Sequence, residues 1–513
     1  MKEIKLYNTL TKSKDLFVPN QEWKVSLYSC WPTVYGDPHI GNMRTYLFVD
    51  LLKRVLIHVW EFSVIHVMNI TDVWHLTDDG DQGEDKMEKW ARREKKTVRQ
   101  VARAYEANFK KYSWELQLEA PDVYTRATEY MNEQIEMIQS LVDKGFTYII
   151  EWDWIYMDTR KISDYGKLAQ LDFEGMNSEH RVDWAKIDSS KKKNLSDFAL
   201  RKIAPKKSKR AMEWVFWWER SWSLLVNEDF DQETFLTESE YWKSLKTISR
   251  SELTDKEKML AGFPWRHIEC SAMASAELWK SIDIHTWWVD HITVHHTNEI
   301  AQAECSLGCS HWVNRRMHGQ FLNINWSKVS KSKWDDLSIP WIIEKWFDPL
   351  DLRYFYFTGH YRSFLDFTWE ALEAAQTSRK NLIKKLASYY QKNSDEYGPW
   401  ALYETLINHL ADDLDIVWVF SSLYSWLDSE KACNDILLLD EKVLRLWLHE
   451  WVKSLLEKDS VSPPTQVISL ADQRIIAKQE KKYEESDRLR EEIASLGRTV
   501  KDEQGWYTLS QND

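Results

Sequence analysis

Residues 24–42 read KVSLYSCWPTVYGDPHIGN. From Lys24 to Tyr28 apolar and polar residues alternate with the period of a half-buried strand, which ends at Cys30-Trp31-Pro32. Beyond a polar loop, Asn42 to Val59 carries apolar residues at helical spacing, and Val64 to Ile70 reads as a second strand. A strand, a loop bearing reactive side chains, a helix and another strand predict a parallel sheet whose ligands gather at its carboxyl edge. The expected fold class is therefore α/β, with a Rossmann-like parallel sheet.

Working outward, residues 95–145 are mostly helical by periodicity, and Tyr148 to Asp158 looks like a β excursion that starts an inserted subdomain. The return to the sheet is placed by His267-Ile268-Glu269-Cys270 and by a strand-like Val289 to Val294, each preceding a polar loop. After Ile339-Pro340 long amphipathic helices take over; Thr368 to Ala371 opens one whose apolar face holds Leu372, Ala375, Leu382 and Leu386. Ser462-Pro463-Pro464 reads as a linker to a small last domain. There a single helix is expected to carry Ile476, Tyr483, Leu489, Ile493 and Leu496 on one stripe, with Gly497 just past its end. The expected domains are residues 1–340, with an inserted subdomain over 146–200 and a further insertion over 213–261, then a helical bundle over 341–460 and a small domain over 465–513.

A chain of 513 residues accommodates several such domains. No apolar run long enough for a secretory signal or a membrane span appears, so a cytoplasmic protein without a membrane partner is expected. Five cysteines in this length make no disulfide framework, and metal binding or chemistry is the better use for Cys30 and Cys270 in their polar surroundings. A net charge of −13 argues against a nucleic-acid partner, yet basic clusters remain at Lys191 to Lys193, Lys206 to Arg210, Arg379 to Lys385 and Lys478 to Lys482. Glycine is scarce at 14 residues, where roughly 7% is usual, while tryptophan reaches 30.

Three constellations carry chemistry. Pro38-His39-Ile40-Gly41-Asn42 follows a strand and opens a helix, so the imidazole and the free helix N–H groups can face a nucleotide's phosphates; a capped helix start with a structural histidine is the plainer alternative. Lys328-Val329-Ser330-Lys331-Ser332 offers two ammonium groups that could neutralise a leaving pyrophosphate, or merely a solvated loop. His295 and Glu299 stand four apart, on one face of a helix, and with two cysteines they make a plausible zinc set, His296 being placed to support it. Cys305 and Cys309 form a weaker rival pair, with no histidine or carboxylate pattern beside them.

Taken in order, Tyr28-Ser-Cys30-Trp-Pro-Thr-Val-Tyr35, His39-Ile-Gly-Asn42, Asn69-Ile-Thr-Asp-Val73, His267-Ile-Glu-Cys270-Ser-Ala-Met273, His295-His-Thr-Asn-Glu299-Ile-Ala-Gln302, Lys328-Val-Ser-Lys-Ser332 and Asp487-Arg-Leu-Arg-Glu-Glu-Ile493 resemble cysteinyl-tRNA synthetases over essentially the whole chain. The resemblance implies a class I catalytic domain, a stem-contact and helical-bundle region, and a small C-terminal anticodon-binding domain. It implies a cysteine–tRNA ligase acting on L-cysteine, ATP and tRNA-Cys as a monomer, with one Zn²⁺ per chain and Mg²⁺ accompanying ATP. Cys30, Cys270, His295 and Glu299 are the implied zinc ligands; His39, Asn42, Lys328 and Lys331 are the implied catalytic residues; and His39, Asp290 and Lys331 are the implied ATP contacts. A tRNA-independent cysteine ligase built on the same catalytic half and a non-catalytic tRNA-binding relative are the alternatives. The helical C-terminal third argues against the first, and the intact site residues argue against the second.

The likeness breaks in one consistent way. Tryptophan stands where the family has glycine at Trp31, Trp74, Trp265, Trp279, Trp287, Trp288, Trp326, Trp334 and Trp346, and arginine stands where it has tryptophan at Arg201, Arg266 and Arg316. Trp369 is a match. With the glycine deficit, this pattern predicts that a codon translated here as tryptophan, such as UGA, is read as glycine in the cell, that some of the arginines are tryptophan there, and that the nucleotide site of the chain as written is crowded. The connection from Arg201 to Arg266 is longer than the family's and holds an acidic, tryptophan-rich run around Asn227 to Glu257, expected to be a solvent-exposed insertion.

Overall fold

The computed structural model describes residues 3–30, 36–72, 86–150, 154–170, 192–194, 196–203, 213–216, 222–226, 247–249, 261–264, 267–324, 327–328, 337–390, 401–460, 464–503 and 506–511. It divides into one compact unit of residues 1–376 with 405–420, and a second of 377–404 with 421–513.

The first unit opens with a hairpin of β1 (Lys5–Asn8) and β2 (Ser13–Leu16). The decisive strand follows as β3 (Lys24–Ser29), then α1 (Ile40–Arg54) and β4 (Ser63–Ile70), as the alternation and helical spacing predict. Next come α2 (Lys86–Glu94), α3 (Val98–Glu115), β5 (Val123–Arg126) and α4 (Met131–Asp143). The interposed segment supplies β6 (Thr147–Ile150), β7 (Trp154–Met157), β8 (Phe198–Ile203), β9 (Glu213–Phe216), β10 (Trp222–Val226), β11 (Thr247–Ser249) and β12 (Ala261–Pro264). These pair into one seven-stranded sheet in the order β11-β10-β9-β12-β8-β7-β6.

The chain returns through α5 (Ile268–Leu278), β13 (Ile282–Trp288), α6 (His295–Leu307) and β14 (Val313–Gly319). Two expectations need correcting here. His267 to Cys270 is no strand approach but the start of α5, because Ala, Ser, Met and Leu continue the segment at helical spacing. The returning strand is Ile282–Trp288, and Val289–His291 is a single tight turn after it. That strand is buried on both faces, so it shows no alternation to read.

All pairings in the main five-stranded sheet are parallel, in the order β14-β13-β3-β4-β5. Strand order reverses between β3 and β13, which opens a crevice at their carboxyl ends. Asp283 of β13 fastens this junction by accepting hydrogen bonds from the backbone N–H groups of Asn20 and Ser26 and from the Ser26 hydroxyl. A small three-stranded sheet of β15 (Leu322–Ile324), β16 (Ser327–Lys328) and β17 (Leu365–Phe367) follows, with α7 (Ile339–Glu344) and α8 (Pro349–Phe357) between its strands.

Helix α1 is buried almost all round, including Arg44, Asp50, Lys53 and Arg54. Burying charge is costly unless it is paired. Asp50 is paired on two sides: Arg353 of α8 donates from Nη2 at 2.7 Å, and Arg54 donates from Nε at 3.0 Å. Burial alone would raise the Asp50 carboxyl, but these two guanidinium groups outweigh it and hold the group below its ordinary range.

The remaining helices are α9 (Trp369–Tyr389), α10 (Ala401–Ala411), α11 (Ile416–Trp426), α12 (Glu430–Leu439) and α13 (Leu448–Ser460). Leu372, Ala375, Leu382 and Leu386 are buried on α9 as its periodicity predicts. In the second unit, Asp440 follows α12 and accepts hydrogen bonds from the Leu446 and Leu448 N–H groups, closing the turn into α13. The chain ends in two helices rather than the expected one, α14 (Thr465–Gln479) and α15 (Tyr483–Ser495), with a hairpin of β18 (Arg498–Glu503) and β19 (Trp506–Gln511). Their core is Val467, Leu470, Ala471, Ala477, Leu489, Ile493 and Val500. Ile476 and Tyr483 are exposed: Lys481 in the left-handed conformation breaks the helix between them, so the two never share a stripe.

Because Arg353 is fully buried, its loss leaves Asp50 with half its charge partners. Arg353→Ala is expected to lower stability by about 3–5 kcal/mol in urea denaturation. A carboxyl with a depressed folded pKa contributes fully above its unfolded pKa of about 3.9 and loses that contribution as pH falls through the folded value, so the gap between wild type and variant narrows in acid.

Candidate metal centre and nucleotide site

Three elements deliver four side chains to the crevice between β3 and β13. Cys30 follows the last residue of β3, Cys270 lies in the first turn of α5, and His295 and Glu299 sit one helical turn apart at the start of α6. One donor atom from each of these four lies within 4.8 Å of every other. The Cys30 and Cys270 Sγ atoms are 3.9 Å apart. His295 Nε2 is 3.0 Å from Glu299 Oε1, yet both atoms are buried and out of hydrogen-bond alignment. A buried ring nitrogen and a carboxylate oxygen facing each other in this way suit a shared cation better than a proton. Two sulfurs, one imidazole and one carboxylate fit the ligand chemistry of zinc.

The charges lean the same way. Burial pushes the Cys30 thiol well up, whereas the hydrogen bond from Cys30 outweighs burial at Cys270 and brings that thiol down to about 7. Burial would lower His295, but Cys270 and Glu299 raise it to about 10. Burial would likewise raise Glu299, and the neighbouring His285 and His296, with the hydrogen bond of His285, hold it well below the carboxylate range. Negative charge thus collects on Cys270 and Glu299.

Of the shell around these residues, sequence reading names only His296. His285, on β13, donates from Nε2 to Glu299 Oε2 at 2.9 Å; His296 Nδ1 meets His318 Nε2 at 2.9 Å; and Thr9 Oγ1 meets His318 Nδ1 at 2.8 Å. His267 Nδ1 meets His295 Nδ1 at 2.8 Å, which leaves the other nitrogen of His295 turned to Glu299. Cys30, His285, His296 and Glu299 also lie close enough to hold an ion. In that set His285 is already hydrogen-bonded to the carboxylate and His296 to His318, so orienting the ligands is the better use for both rings. Only strand register, pairing His285 with Arg316 and Trp287 with His318, brings these residues together.

At the other side of the crevice His39 caps α1. Its Nδ1 accepts from the Asn42 N–H at 3.2 Å, and Asn42 Oδ1 accepts from the His39 N–H at 3.2 Å, a reciprocal capping box. A Cβ at Gly41 would stand 2.9 Å from the His39 ring, so glycine is what lets the imidazole fold over the helix start. Burial lowers His39 to about 4, leaving it neutral at pH 7. Asp290 is exposed in the turn after β13. Lys328 ends β16, but its side chain, and the whole of Lys331, lie outside the described residues, as do Trp31, Trp74, Trp265, Trp326, Trp334 and Arg266.

The Trp288 ring centroid is 6.1 Å from that of His39 and 5.8 Å from that of Phe321, and the Trp288 Nε1–H is buried with no hydrogen-bond partner. Trp287 is buried against Tyr46. A cavity of about 960 Å³ lies on the opposite face of α6, lined by Lys144, Lys161, Lys167, Glu304, Cys305 and Cys309. It contains none of the four ligand candidates, and among the described residues Cys305 and Cys309 join no group of three potential metal donors.

Residues 16–223 and 237–377 match the model of the class I (C) tRNA synthetase catalytic domain. The cysteine–tRNA ligase of Treponema denticola is 34% identical over 534 residues, covering 98% of this chain and 99% of that one. Cysteine–tRNA ligase 1 of Burkholderia lata is 36% identical over 504 residues, covering 97% and 94%. Among solved structures, methionyl-tRNA synthetase of Mycobacterium tuberculosis bound by methionyl-adenylate superposes with a TM-score of 0.51 at 11% identity, covering 84% of this chain and 94% of that one, a likeness of fold.

The geometry predicts one tightly held soft divalent ion per chain. Cys30→Ala and Cys270→Ala should each abolish its retention through gel filtration, measured by elemental analysis. His285→Ala should keep the ion but weaken it by about 10–100-fold in competition with a chelator.

Proposed function

The chain belongs to the class I tRNA synthetases, among the cysteine–tRNA ligases, and from that premise we propose how its own residues carry out the two steps of that reaction. In the first, an oxygen of the L-cysteine carboxylate attacks the α-phosphate of ATP and pyrophosphate leaves with the electrons of the broken P–O bond. In the second, a terminal ribose hydroxyl of tRNA-Cys attacks the carbonyl of the adenylate and AMP leaves. The convergence of Cys30, Cys270, His295 and Glu299 at the strand-order reversal carries the reading.

These four residues would hold zinc, and a zinc ion there would take the side chain of cysteine as a thiolate, which serine's hydroxyl cannot match. Serine is then rejected at binding, without a separate editing site. His39, neutral at pH 7, offers a hydrogen bond rather than a charge to the phosphates, and the N-terminus of α1 with Asn42 adds its dipole. Lys328 and Lys331 are assigned to the charge that develops on the leaving pyrophosphate, with Mg²⁺ accompanying ATP, and Asp290 to the nucleoside.

Residues 1–340 are assigned to catalysis, 341–460 to the tRNA stem and 465–513 to the anticodon. Among the described residues no helix is long and apolar enough to cross a membrane. A cytoplasmic monomer is the proposed working form. The relatives matched over nearly the whole chain are tRNA ligases, which favours this reading over a ligase that uses no tRNA.

Cysteine-dependent exchange of pyrophosphate into ATP tests the assignment. With Trp287 and Trp288 replaced by glycine, which clears the indole beside His39, the protein should exchange with cysteine at least about 100-fold faster than with serine. His39→Ala in that background should lower kcat by about 10²–10³ with metal content unchanged. Equal exchange with cysteine and serine would sink the assignment.

A further inference from the structure

Among the described residues, fourteen other than glycine have positive φ, and four of them are tryptophan: Trp23, Trp279, Trp346 and Trp447. The chain has 22 tyrosines and 18 phenylalanines of comparable bulk, yet none of them is in this set among the described residues. Ring size therefore does not bring residues to these positions. For a bulky side chain such a conformation is a genuine outlier.

Two of the four are decisive. Trp279 ends α5 with φ 66° and ψ −156°, in a region of backbone space that essentially only glycine occupies. Its indole is 78% exposed, so no burial of the ring offsets the strain. Trp346 follows the cap of α7 with φ 67° and is 92% exposed. Its N–H reaches the Ile343 carbonyl at 2.9 Å and the next N–H, of Phe347, reaches the Ile342 carbonyl at 3.2 Å, the paired closure of a Schellman motif. The same closure ends α4, where Gly145 bonds to Val142 and Phe146 to Leu141, and there the residue is glycine with φ 74°. Lys95, Gln117 and Lys481 show that flexible polar residues also accept such a position. An exposed indole gains nothing there.

Trp369 behaves in the opposite way. It starts α9 with ordinary backbone and packs against Trp341, Phe347 and Phe367, with ring centroids 4.4, 5.8 and 5.4 Å away.

We infer that positions 279 and 346 are glycine in the protein its own cell makes, that the codon translated here as tryptophan at these positions is a glycine codon there, and that Trp369, encoded by a different codon, is authentic. Backbone conformation and ring packing sort the two classes without reference to any relative. The strain at position 279 and the glycine scarcity of the whole chain then have one cause.

Tandem mass spectrometry of tryptic peptides from cells that carry this gene tests it. The peptide from position 346 to Arg353 should be lighter by the difference between a tryptophan and a glycine residue, and the fragment ions of the peptide ending at Lys280 should read glycine at position 279. The peptide from Ser363 to Arg379 should carry Trp369 unchanged. Tryptophan at 279 or 346 would overturn the inference, and so would glycine at 369. In recombinant protein Trp279→Gly and Trp346→Gly should raise Tm and Trp369→Gly should lower it; the reverse order would overturn it as well.

Discussion

The Glu299 carboxylate is completely buried, and much of the catalytic unit is arranged around keeping it charged. One oxygen is held by His285 from the central sheet, and the other faces His295 one helical turn away. An ionised carboxylate in a dry interior is tolerated only when it is paired or bound to metal. Helix α6 therefore has to start where β13 and α5 present their histidine and cysteine. That requirement ties the helix register to the strand register, and a slip of one residue in either would leave the charge alone.

Sheet topology supplies the other half of the arrangement. Reversal of strand order between β3 and β13 opens a crevice at the carboxyl edge, with thiols and imidazoles on one side and the capped start of α1 on the other. A metal-held thiolate and a nucleotide's phosphates could meet only across such a gap. Trp288 now stands in it, with its indole N–H unsatisfied. An unpaired buried donor of this kind costs about 1–3 kcal/mol.

Much of this was legible in the residues themselves. The alternation of Lys24 to Tyr28 and the polar break at Cys30 marked the first strand and the cysteine at its end, and the four-residue spacing of His295 and Glu299 placed both on one helical face. Position along the chain could not reveal His285, His318 and Thr9, which meet the site only through strand register and a hairpin near the N-terminus. The strand before α6 was misplaced because Ile282 to Trp288 is buried on both faces, which erases the alternation that identifies an exposed-edge strand. The terminal domain was read as one helix because Lys481 breaks the pattern in a conformation its side chain does not advertise.

Cobalt(II) bound by Cys30, Cys270, His295 and Glu299 reports directly whether the metal meets the substrate's sulfur. Loaded with cobalt, the Trp287→Gly, Trp288→Gly protein should show thiolate-to-metal absorption from Cys30 and Cys270, and added L-cysteine should intensify and shift that band while L-serine leaves it unchanged. A band indifferent to cysteine, in protein that holds one cobalt per chain, would contradict the assignment of this centre to substrate selection.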